Sequence, residues 1–105
     1  MNEAIYKKLK EVAREKTLTN YTEIGLLVGL EPHNPILWGM LDDINHYEHQ
    51  EHRPMLSAVV IVQAENKPGS GFFECERNLG VFQGGDELAF WVKGLNRVWE
   101  CWSSH

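Results

Sequence analysis

Positive charge is missing from about a third of this chain: between Thr17 and His52 there is no Lys or Arg. The same stretch carries Glu23, Glu31, Asp42, Asp43, Glu48 and Glu51. Over the whole sequence ten Lys and Arg stand against fifteen Asp and Glu, a formal net charge of -5. That balance argues against nucleic-acid binding driven by overall charge, which needs cations to replace phosphate counterions. Cysteine is scarce too. Cys75 and Cys101 are too few for a disulfide framework and suit a reducing, cytoplasmic setting. No apolar run approaches the roughly 18 residues that span a bilayer, and the Lys-rich start is not followed by the apolar core of a leader. No membrane association is therefore expected. Repeats and low-complexity tracts are absent. What remains, 105 residues with 43% hydrophobic and 24% charged, is the composition of one compact domain. It is expected to fill 1–105, with a core over 1–73 and a C-terminal helical extension over 74–105.

Hydrophobic spacing lays out the elements. Ile5, Leu9, Val12 and Ala13 share a helical face between Asn2 and Lys16. Asn20-Tyr21-Thr22-Glu23 reads as a capping box for a short helix that stops at Gly29. Asn34-Pro35 starts a third helix with a core stripe of Leu37, Met40, Leu41, Ile44 and Tyr47, ending near Glu51. Leu56 to Val62, rich in β-branched residues, predicts a buried strand. Lys67-Pro68-Gly69-Ser70-Gly71 predicts a turn, after which Phe72-Phe73 either returns as a strand or opens a helix. Asp86 caps a last helix with Leu88, Trp91, Val92, Leu95, Val98, Trp99 and Trp102 on one broad side and Phe90 away from it. Three helices, a strand, a turn and a return predict an α+β, mostly helical, winged helix-turn-helix-like domain with an added Trp-rich C-terminal helix. That many large rings on one helix suggests a homodimer surface.

The run Asn20-Tyr21-Thr22-Glu23-Ile24-Gly25-Leu26-Leu27-Val28-Gly29 resembles the start of the DNA-binding domain of alkylguanine-DNA alkyltransferases and alkyltransferase-like proteins. The third helix, the apolar run Ser57–Val62 and the turn to Gly71-Phe72 follow in that family's order, so the likeness covers about residues 4–73. It implies a winged-helix fold and DNA contact through Tyr21. The family's reactive Pro-Cys-His-Arg falls on Leu56, Ser57, Ala58 and Val59, so the thiol that accepts the alkyl group is missing. The intercalating arginine of the alkyltransferase-like proteins has no counterpart near Pro35. Alkyl transfer is not expected.

A recognition helix with four carboxylates and no cation repels a duplex at close range, where DNA-binding proteins make most of their phosphate contacts. The expected function is therefore a non-enzymatic adaptor or DNA-mimic-like module that binds a protein partner. The candidate surface is the outer side of the third helix: Trp38, Asp42, Asn45, His46 and His49, with His52 beyond. Trp38 is the ring the helical wheel sends away from the core, as interface anchors are. The alternative is a nucleic-acid-binding regulator using Tyr21, Asn34 and Lys67. Asp42, His46 and His49 fall within about 60° on the wheel and form a weaker candidate set for a divalent metal. No ligand motif accompanies them, and no cofactor is expected. Cys75, flanked by Phe72 and Leu79 at helical spacing, reads as a buried structural cysteine rather than a nucleophile.

Overall fold

The computed structural model describes residues 1–103, the side chains of 70 and 71 excepted; residues 104 and 105 of the expected extension lie outside the described residues. In chain order it has α1 (Glu3–Arg14), β1 (Thr19–Asn20), α2 (Tyr21–Val28), α3 (Pro35–Gln50), a 3-10 helix (Leu56–Val59), β2 (Val60–Ile61), α4 (Ser70–Asn78) and α5 (Glu87–Ser103). The fold is mostly helical with a two-stranded parallel sheet.

α1 forms where its spacing predicts. Asn2 Oδ1 accepts the Ile5 N–H at 3.0 Å, and Ile5, Tyr6, Leu9, Val12 and Ala13 turn inward. Asn20 caps α2 through the Glu23 N–H at 2.9 Å. The reciprocal arm of the expected box is rerouted, because the Glu23 carboxylate accepts from the Thr19 hydroxyl at 2.7 Å. Gly29 ends α2 with φ 70, the left-handed conformation glycine adopts freely. Gly25 is needed for a different reason: a Cβ there would lie 2.3 Å from the Leu30 carbonyl oxygen. The chain leaving α2 folds back that closely.

In α3, Asn34 Oδ1 accepts from Ile36 N–H at 2.9 Å and Pro35 occupies the first turn. Its buried residues are Leu37, Leu41, Ile44, Asn45 and Glu48. The stripe is thus rotated from the expected one. Tyr47 is exposed and Met40 half-buried, while two polar side chains take core positions.

The largest departure concerns the expected strand over Leu56–Val62. Its first part coils into the 3-10 helix, and only Val60 and Ile61 are extended, paired in parallel with Thr19 and Asn20. The physical cause is enclosure. Leu56 to Val60 are all buried, with α1, α3 and α5 packed around the 3-10 helix, so local i→i+3 bonding serves its backbone better than a ladder without a neighbour. The expected wing reduces to one antiparallel bridge, Val62 with Lys67. Phe72-Phe73 does not return as a strand but lies inside α4.

α5 closes the core. Asp86 Oδ1 accepts the Ala89 N–H at 3.2 Å. Trp91, Leu95, Val98 and Trp102 are buried, each such apolar side chain stabilising by about 1.5–3 kcal/mol. The Trp91 indole donates to the Ala58 carbonyl at 2.8 Å and the Trp99 indole to the Thr17 carbonyl at 3.1 Å. The buried side is narrower than predicted, since Leu88 and Val92 stay exposed. Phe90 packs inward instead, its ring 4.5 Å from that of Phe82, because the loop before α5 folds back over it.

Candidate functional site

Two polar side chains of α3 that the helical wheel left unassigned to the core build the interior around the candidate surface. Glu48 is 0% exposed. It accepts the Tyr6 hydroxyl at 2.6 Å and the Arg53 Nε at 2.5 Å. His52, with φ 59, turns the chain so that the Arg53 N–H returns to the Glu48 carbonyl at 2.9 Å. The guanidinium then lies over the rings of Tyr47 and Trp102 at 5.6 and 5.5 Å. Burial, together with the neighbouring Glu48 carboxylate, raises the Tyr6 hydroxyl well above its ordinary range. Glu48 is therefore not one of the carboxylates a partner would meet. The sequence carried a signal for this, since Glu48 stands four residues after Ile44 and seven after Leu41 on the apolar face.

Asn45 is the second. Expected on the outer side, it is 1% exposed. Its Nδ2 donates to the Ser57 hydroxyl at 2.7 Å, and its Oδ1 accepts the Ser57 N–H at 3.2 Å. The same Nδ2 lies 3.9 Å from the Cys75 sulfur. Asn45 thus fixes the start of the 3-10 helix instead of facing a partner, because its wheel position adjoins Leu41 and Ile44.

The other predicted surface residues divide. His46 and His49 are exposed, and His46 Nδ1 lies 2.8 Å from the Asp42 carbonyl oxygen. Among the described residues no group of three His, Cys, Asp or Glu side chains could hold a metal ion, so Asp42, His46 and His49 do not converge as ligands. Asp42 is half-buried beside α4. Burial pushes its carboxyl up, against the pull of the Cys75 thiol and of His46. Cys75 is buried, and burial pushes its thiol up to about 11. At neutral pH it stays protonated, the wrong state for a nucleophile.

Trp38 is 44% exposed, its indole donating to the Pro32 carbonyl at 3.2 Å. It borders a cleft of about 430 Å³ beside the α2–α3 link and the β2–α4 loop. The cleft takes aromatic rings from Tyr21, Trp38 and Phe72 and carboxylates from Asp42 and Glu65; among the described residues no Lys or Arg lines it. Ser57 also borders it. Of the alternative nucleic-acid set, Tyr21 accepts the Gly69 N–H at 3.3 Å and Asn34 is committed to its cap, while Lys67 is exposed in the turn. Arg53, the cation nearest α3 in sequence, is held by Glu48. Tyr21 was legible only as a nucleic-acid contact and Phe72 only as an apolar neighbour of Cys75, and Glu65 carried no signal. The chain matches no protein-family model, no curated protein and no solved structure. No described helix is long and apolar enough to cross a membrane.

Proposed function

We propose that the chain is a small, non-enzymatic module of the helix-turn-helix kind that binds a protein partner, and that the cleft bordered by Trp38 receives a basic side chain of that partner. One observation carries the reading: three aromatic rings and two carboxylates meet at a cleft lined by no Lys or Arg among the described residues. A Lys or Arg side chain matches this on both counts. Its charge faces carboxylates, and its head or stem lies on π faces, worth about 0.5–2 kcal/mol per contact. The half-exposed Trp38 fits the profile of an interface anchor. In this reading the resemblance to alkyltransferase-like proteins concerns ancestry, with Ser57 in place of the reactive thiol and a carboxylate-lined cleft in place of a phosphate-binding face.

The test is a titration of the full chain with a capped Ala-Arg-Ala peptide and its Ala-Glu-Ala counterpart, read by Trp fluorescence and amide shifts. The arginine peptide is expected to shift residues around Trp38 and Glu65 saturably, and Trp38→Ala to abolish this. Equal response to both peptides overturns the reading. So does duplex DNA binding at low salt that falls steeply as salt rises, which supports the nucleic-acid regulator instead.

A further inference from the structure

Phe72 also lines a second cleft, and no other described residue borders both this one and the Trp38 groove. This cleft, of about 300 Å³, is walled by the end of α3, the segment after it, the 3-10 helix, α4 and α5. Its charge runs against the rest of the molecule. Three of the chain's ten Lys and Arg line it, Arg53, Lys93 and Arg97, together with two of its five histidines, His49 and His52. Arg53 is engaged with Glu48. Lys93 and Arg97 stand one turn apart on α5, both exposed.

The one carboxyl among the lining residues is Glu76 of α4. It is 2% exposed, and its Oε2 has no hydrogen-bond partner among the described residues. Burial raises this carboxyl to about 7. Buried polar atoms in folded proteins nearly always have partners, and Glu76 borders the cleft, so a donor seated there, with a small shift of the side chain, supplies the one that Oε2 lacks. The remaining wall is apolar, with Met55 and Phe90 beside Phe72.

We propose that this cleft binds a nucleoside monophosphate, its phosphate held by Lys93 and Arg97, its base against the apolar wall, and a base N–H donating to Glu76. Simpler anions satisfy only part of the site. Inorganic phosphate leaves the apolar wall and Glu76 unmet, and an aliphatic carboxylate brings no donor for Glu76. The volume sits at the lower end of the range for small-molecule sites, which suits a mononucleotide rather than a dinucleotide. A guanine edge, with adjacent N1–H and N2–H groups, offers a carboxylate two parallel donors, so guanosine monophosphate is the matching probe. This site is independent of the Trp38 groove, and either can fail without the other.

The experiment is a titration of the isotope-labelled full chain with guanosine monophosphate, guanosine and inorganic phosphate, read at the amides of residues 76 and 90–97. The nucleotide is expected to bind saturably and at least tenfold more tightly than either fragment. Lys93→Ala with Arg97→Ala, both exposed side chains, should weaken the nucleotide at least tenfold and leave guanosine unchanged. Glu76→Gln should weaken nucleotide and guanosine alike and leave phosphate unchanged. Where that variant fails to fold, the double alanine variant decides with the two fragments. Nucleotide binding no tighter than phosphate, or unaffected by the double variant, overturns the proposal.

Discussion

Replacing Arg53 by methionine isolates the buried ion pair that ends α3. The substitution keeps an apolar stem over Tyr47 and Trp102 but removes the guanidinium. Glu48 then sits at zero exposure with the Tyr6 hydroxyl as its remaining donor. Taking one partner from a buried pair typically costs about 3–5 kcal/mol, since the other charge is left without compensation. The Arg53 side chain is 26% exposed, so water reaches the gap and the lower end applies, about 3 kcal/mol. For a 105-residue domain, at about 2.1 cal/mol/K of unfolding entropy per residue, this lowers Tm by about 14 °C. Adding Glu48→Gln should recover about half of that loss, because a neutral amide still accepts from Tyr6 and no longer needs a counter-charge. Thermal and urea unfolding followed by circular dichroism measure all three variants. A loss below about 1 kcal/mol for Arg53→Met, or a double variant no more stable than the single one, would show that Glu48 is not held by this pair.

Further expectations concern the neighbouring elements. Asn45→Ala leaves the Ser57 N–H without its acceptor in the interior and should cost about 2–3 kcal/mol in urea unfolding, with the 3-10 helix amides losing exchange protection first. Gly25→Ala brings a Cβ onto the Leu30 carbonyl and should destabilise by at least about 2 kcal/mol, against about 1 kcal/mol for Gly29→Ala, where only the backbone conformation is strained. Glu76 titrates in the folded chain at about 7 against an ordinary 4.5, so the native state keeps a proton that the unfolded chain has already lost. Stability should therefore fall as pH rises from about 4.5 to 7 and level off above, by up to about 3 kcal/mol. Glu76→Gln should flatten that slope, which chemical unfolding at a series of pH values measures.

How much of this was legible follows from what each residue type can signal. Caps and stops were plain, because Asn20, Asn34-Pro35, Gly29 and Asp86 act through their own backbone neighbourhoods. The apolar faces of α1 and α5 were readable in outline by the same local logic. The 3-10 helix was not. Leu-Ser-Ala-Val-Val-Ile-Val has the composition of a strand, and only enclosure by three helices, a tertiary fact, coils its first half. Asn45 and Glu48 misled in the opposite sense. Polar residue types suggested an outer face, yet their spacing from Leu41 and Ile44 already put them on the inner one, where Ser57 and Arg53 supply partners. Both clefts join residues more than thirty positions apart, and no local pattern in the sequence brings those together. Trp38 was visible as an outlying ring, but the carboxylate of Glu65, which lines the same cleft, was not.

The two indole hydrogen bonds of α5 have a consequence for the order of events during synthesis. Trp91 reaches back 33 positions to Ala58 and Trp99 reaches back 82 to Thr17. Everything upstream can be made and can collapse, yet the 3-10 helix and the entry to β1 keep uncovered carbonyls until the last helix has left the ribosome. Such distant closures come late, since the intervening chain must first surrender its freedom. A nascent chain halted before Trp91 is thus expected to expose apolar surface, the state that invites aggregation or a chaperone.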